Sequence, residues 1–189
     1  MRKIVLAVAV LGAMVFALAV SAAAPTNFAG TWGLDKAKSQ GLSQRLQGAD
    51  SVSWVITQND KTISVDKKVT GGQPPAGGPP AGGPPAGGPP GGGGGRGMAG
   101  PQSYNLDGSE STSENGPAKS TRKATWSSDG KTLELSANTT STGQDGTERK
   151  NSSTDKLTLS ADGKVLTSSS HREGGRGGPQ DSTLVFNKQ

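Results

Sequence analysis

The sequence predicts an all-β fold, an antiparallel up-and-down meander of about eight or nine strands, closed or partly open as a barrel and carrying a disordered Pro/Gly-rich insert. Three observations lead there. Large apolar residues alternate with polar ones in short runs, the period of a strand with one buried face. Asn-Asp or Asp-Gly pairs separate those runs, and Asp-Gly marks tight hairpins because glycine accepts positive φ. No stretch offers a helical crossover, so successive strands are antiparallel neighbours, and closing them into a barrel hides the edges that an open sheet must protect.

Taken in order, Arg2-Lys3 precede an uncharged apolar run from Ile4 to Val20, and Ser21-Ala22-Ala23-Ala24 supplies small residues for a signal peptidase. Residues 1–23 therefore read as a signal peptide, with cleavage after Ala22 or Ala24 as neighbouring choices and an uncleaved anchor as the competing reading. The expected organisation is signal peptide 1–23, first part of the barrel 24–70, insert 71–100 and remainder of the barrel 101–189.

The barrel opens on Asn27-Phe28-Ala29-Gly30-Thr31-Trp32. This stretch resembles the first strand of the lipocalins and wider calycins, which starts with Gly-x-Trp, often after Asn-Phe. The resemblance implies a small exported barrel that binds a small hydrophobic or amphipathic ligand. Gly30 would let the chain enter the barrel floor and Trp32 would plug the closed end. The same pattern implies a late arginine stacked across the tryptophan, yet the last strand-like run, Ser182 to Asn187, has none, and Arg172 or Arg176 could supply it only from the preceding segment.

Between Lys36 and Asp50, Leu42 and Leu46 are spaced by four, which fits a short helix started near Ser39 or Ser43 or a surface loop, the preferred reading. Val52, Trp54 and Ile56 then alternate, a polar Asn59-Asp60 turn follows, and Ile63, Val65 and Val69 alternate again. That is a β-hairpin. From Gly71 to Gly100 the composition changes to Pro-Pro-Ala-Gly-Gly repeats whose period of five excludes collagen. Pro-Pro pairs extend the backbone and Gly-Gly pairs loosen it, so this segment reads as a disordered insert.

The remaining strands surround Tyr104 and Leu106, Ser120 to Trp126, Leu133 to Ala137, Thr147 to Leu159, Val165 to Thr167 and Thr183 to Phe186, with Asp-Gly turns at 107, 129, 145 and 162. Trp126-Ser-Ser-Asp-Gly-Lys-Thr-Leu is echoed by Leu159-Ser-Ala-Asp-Gly-Lys-Val-Leu, a repeat of hairpin chemistry. If Leu157 and Leu159 point inward, so do Asp155, Ser153 and Asn151. Either the interior is polar at one end or that strand outruns the barrel.

The core is thin: after residue 23, Leu, Ile, Val and Phe number 20 of 166 residues. That is below the roughly 20% at which disorder threatens chains of high net charge, but 18 basic against 15 acidic residues leaves only +3 here. So mild and scattered a balance does not nominate nucleic acid as a partner. With no cysteine, neither disulfides nor a lipid-modified amino terminus are available.

One histidine and no cysteine leave no ligand cluster for zinc, haem or iron–sulfur chemistry, and no cofactor is expected. His171 beside Glu173 could be read as a base for a nearby serine, but no nucleophile elbow accompanies it and a solvated strand end explains it better. The acidic residues fall mostly in turns, where turn geometry accounts for them. The expectation is therefore a non-enzymatic exported barrel with Trp54, Tyr104 and Trp126 as ligand contacts and Gly30 and Trp32 as structural residues. Its expected partner is a small amphipathic ligand, and no stable membrane insertion is expected once the signal is cleaved. The alternative is a structural or interaction module, periplasmic or secreted, whose partner is a cell-envelope component and whose insert is a spacer or docking arm.

Overall fold

The structure, a computed structural model, describes residues 25–71, 100–116, 118–143, 146–174 and 178–189. The expected signal segment and the body of the Pro/Gly-rich insert lie outside the described residues, as do Asp145 and Arg176.

The described chain forms β1 (Gly30–Leu34), α1 (Gln44–Gly48), β2 (Ala49–Gln58), β3 (Thr62–Gly71), β4 (Gln102–Asn105), β5 (Ser111–Asn115), β6 (Ala118–Trp126), β7 (Thr132–Thr142), β8 (Glu148–Leu159), β9 (Val165–Glu173) and β10 (Gln180–Lys188). One antiparallel sheet runs in the order β4-β3-β2-β1-β10-β9-β8-β7-β6-β5. Pairing of β1 with β10, Trp32 opposite Lys188 and Leu34 opposite Phe186, joins the two ends of the chain and curls the meander round. The result is a nearly closed barrel, a shape compatible with the calycin-like expectation. Its seam lies between β4 and β5, which are short and lie alongside each other with the Ser111 hydroxyl donating to the Ser103 carbonyl at 3.4 Å.

Two sequence expectations change in detail. The strands number ten because β5, Ser-Thr-Ser-Glu-Asn, has no apolar residue to reveal its alternation; its ladder to β6 runs from Ser111 opposite Arg122 to Asn115 opposite Ala118. A helix, not the preferred surface loop, follows β1. Ser43 caps it by accepting from the Leu46 amide at 3.4 Å, Leu42 and Leu46 turn toward the core, and Lys36 Nζ donates to the Gln47 carbonyl at 3.0 Å and to that of Ala49. A cation at the carbonyl end and a serine at the amide end satisfy groups that so short a helix cannot satisfy alone.

The floor of the barrel lies at the β2–β3, β6–β7 and β8–β9 turns, and the mouth at the opposite strand ends. Residues 25–29 strap across the floor. Thr26 donates through N and Oγ1 to the Gly130 carbonyl at 3.0 Å, and the Gln58 side-chain amide accepts from the Phe28 amide at 2.9 Å and donates to the Thr26 carbonyl at 3.0 Å. Phe28, fully buried, stacks on Trp126 at 6.0 Å between centroids, and its carbonyl accepts from Trp32 Nε1 at 2.9 Å. Gly30 has φ +148°, and a Cβ there would crowd the Lys188 stem and the Trp32 ring. Trp32, fully buried beside Gly30, has a cation across it in Lys188, whose Nζ stands 5.4 Å from the ring centroid. Lys188 sits one residue beyond the strand-like run in which an arginine was sought.

The repeated hairpins prove to be the same turn built twice. Ser127 and Ser160 each accept through Oγ from the strand amide five residues on, Thr132 and Val165, at 2.9 Å. Each hydroxyl donates to the aspartate two residues on, at 2.6 and 2.5 Å, and that aspartate accepts from Lys131 or Lys164 N at 3.1 Å. These bonds, the serine hydroxyl's first, hold Asp129 and Asp162 below the usual carboxylate range.

Candidate functional site

The interior is divided by height. Beneath mid-level, Trp32, Ile56, Ile63, Leu133, Leu166 and Phe186 are fully or almost fully buried and fill the lumen. Above it the inner face turns to Ser153, Ser170, Ser120, Thr139 and Arg122, by the alternation that leads up from Leu157, Leu166, Ala124 and Leu135. Both alternatives left open for β8 are met: Asp155 and Ser153 give the inner face polar groups, while residues 148–151, exposed on both faces, run past the ladder to β9.

The boundary is an ion pair laid across the lumen. Lys67 on β3 and Asp155 on β8 belong to strands five apart in the ten-strand order, so they face each other across the barrel, with Nζ to Oδ2 at 2.8 Å and side chains 14% and 7% exposed. Ser170, opposite Asp155 on β9, donates its hydroxyl to Asp155 Oδ1. Burial, the largest influence, pushes the Asp155 carboxyl up; the charge and hydrogen bond of Lys67, the Ser170 hydroxyl and the charge of Arg172 outweigh it, leaving it below its usual range. The carboxylate is therefore held ionised inside the barrel.

Lys67 also covers an aromatic. Its Nζ stands 4.4 Å from the Trp54 ring centroid, and Trp54, 3% exposed, packs against Phe186 at 4.5 Å between centroids. Tyr104 reaches the same level from β4: it is buried, its hydroxyl donates to Gln102 Oε1 at 3.2 Å, and burial followed by the charge of Asp155 raises it to about 12. It is a neutral hydroxyl at any ordinary pH. One further hydroxyl, Ser168 Oγ, fully buried two residues below Ser170, has no hydrogen-bond partner among the described residues.

The three expected contacts thus divide. Trp54 lies under the Lys67 ammonium and Tyr104 is reached by the charge of Asp155, both buried members of the core, whereas Trp126 lies lower, half-buried against Phe28 in the floor. Lys67, Asp155 and Ser170 were absent from the expected site. The inward parity of Asp155 was readable from β8, but its partner lies 88 residues away on the opposite wall, where no sequence spacing reveals it.

His171 lies outside the barrel, in a groove of about 460 Å³ lined also by Gln40, Thr154, Lys156, Asp181 and Thr183. Its Nδ1 meets Asp181 Oδ1 at 2.6 Å and its Nε2 meets Glu173 Oε1 at 3.3 Å. Both ring nitrogens face carboxylates, and the Asp181 bond is first among the causes that raise its pKa. Among the described residues no group of three or more His, Cys, Asp or Glu side chains could hold a metal ion, and no helix is long and apolar enough to cross a membrane.

No family model, no curated protein and no solved structure matches this chain.

Proposed function

We propose that this chain is an exported, non-enzymatic barrel of lipocalin-like type that binds one small amphipathic ligand in the mouth half of its lumen. The observation that carries this reading is the two-part interior, hydroxyls and charges above the Lys67–Asp155 pair and apolar side chains beneath it. Such a lining suits a molecule with a polar head and a compact apolar body. Trp54 and Tyr104 are the ligand's contacts at the boundary, while Trp126, Gly30 and Trp32 keep the floor shut. Binding exchanges the Lys67 ammonium over Trp54 for ligand on the same ring. Export rests on the basic pair, apolar run and small residues of 1–23.

The test is native mass spectrometry on mature protein recovered from the exported fraction of its own host. A discrete adduct, released on denaturation and diminished in a folded Trp54→Ala variant, is the expected result; a clean apo mass overturns the reading. The outer groove beside His171 favours a second one, a cell-envelope module that presents polar surface to a partner. Envelope co-fractionation that survives Trp54→Ala but fails after substitution of Thr154 and Lys156 would select it.

A further inference from the structure

We propose that the ligand's polar head is an anion, and that Arg122 and Arg172 hold it above the Lys67–Asp155 pair. This rests on the lumen-binding reading and narrows it to small organic anions. The charge count on the inner wall is the starting point. By strand alternation the ionised side chains facing the upper lumen are Lys67 on β3, Arg122 on β6, Asp155 on β8 and Arg172 on β9, with Arg149 at the rim of β8 and Asp50 in the β2 bulge at the mouth. Asp155 is already engaged by Lys67 and Ser170. Other carboxylates of the wall are engaged on its outer face: Asp66 on β3 bridges to Lys68, Glu134 on β7 to Lys156, Glu148 on β8 to Lys150, and Glu173 on β9 and Asp181 on β10 to His171.

Among the described residues, Arg122 and Arg172 pair with no carboxylate. Arg122, half-buried, donates through Nη1 to the Ser113 hydroxyl at 2.8 Å, a neutral partner. Arg122 and Arg172, the latter exposed at the mouth end of β9, share one cross-strand row, Arg122–Ala137–Ser153–Arg172, one inward step above the row that carries Asp155 and Ser170. A surface of one excess sign concentrates ions of the other, and guanidinium groups, weakly hydrated and planar, suit carboxylate, sulfonate or phosphate heads. Trp54 and Phe186 below supply the apolar contact.

The experiment uses two fluorescent probes with one aromatic body: 1-anilinonaphthalene-8-sulfonate, and N-phenyl-1-naphthylamine, which lacks the sulfonate. Each is titrated into mature protein and into Arg122→Gln/Arg172→Gln, with thermal unfolding confirming that both proteins are folded. The sulfonate should bind the parent about tenfold or more tighter than the neutral probe, an advantage that shrinks with added salt and collapses in the double variant, while neutral-probe affinity holds within about twofold. Equal binding of the two probes, or a sulfonate preference that survives in the double variant, overturns the anion assignment and leaves lumen binding standing. If neither probe binds, the lumen-binding reading falls with it.

Discussion

At the scale of single residues, the Lys67–Asp155 pair carries the largest stake. Removing one partner strands a charge inside the barrel, so Lys67→Met alone should cost about 3–5 kcal/mol, whereas Lys67→Met with Asp155→Leu should cost much less, because both charges leave together. Urea midpoints measured on the three proteins check this. The pH dependence has a definite sign. Asp155 is lowered in the folded state, so its contribution is full above the unfolded carboxylate value of about 4 and is lost as pH falls through the folded value. The stability gap between parent and double variant should therefore change only on the acid side. His171 runs the other way. Its folded pKa is raised, so the contribution of Asp181 and Glu173 is present below about 6.5 and disappears as pH rises through the folded value. A proton NMR titration of the single imidazole should find an elevated midpoint that falls in Asp181→Asn, more than in Glu173→Gln, since the Asp181 bond is the larger cause.

At the scale of elements, the paired Ser-x-Asp-Gly-Lys turns isolate one contribution. Gly163 has φ +66° and open space where a Cβ would stand, so Gly163→Ala should cost about 1 kcal/mol from backbone conformation alone, and Gly163→Asn should recover part of it. Thermal unfolding of the two variants reads the difference. These turns were legible in the text because serine, aspartate and glycine act locally, each through bonds spanning at most five residues. The hairpin of β2 and β3 was legible for the same reason, with Val52, Trp54 and Ile56 alternating against Ile63 and Val65. β5 was not, since neither Ser111 nor Ser113 contrasts in polarity with Thr112, and its strand character comes entirely from β6. The cation across Trp32 is a lysine and not the arginine that the opening motif implies, and it is placed there by register, Lys188 standing opposite Trp32.

At the scale of the molecule, the meander and its near closure follow from short antiparallel connections, but what lies inside does not. Trp54 and Tyr104 were legible as inward aromatics; that Lys67 covers one of them and meets Asp155 is a property of the closed barrel, which brings β3 against β8. Closure also decides what the Pro/Gly-rich insert contributes to stability. β3 and β4 pair directly, Thr62 opposite Asn105 through Val65 opposite Gln102, and β3 runs six residues further to Gly71. A replacement connection must therefore return roughly 20 Å, at about 3.3 Å per residue. A Gly/Ser linker of about twelve residues spans that distance, and exchanging it for residues 72–99 changes loop-closure entropy by under about 1 kcal/mol. The exchanged protein should unfold within a few degrees of the parent, by roughly the usual conversion of stability to midpoint, and should bind the sulfonate probe unchanged. A collapse of the thermal midpoint would mean that residues 72–99 supply contacts that the β3–β4 ladder does not. Loss of probe binding with the midpoint intact would move the site from the lumen wall to the insert.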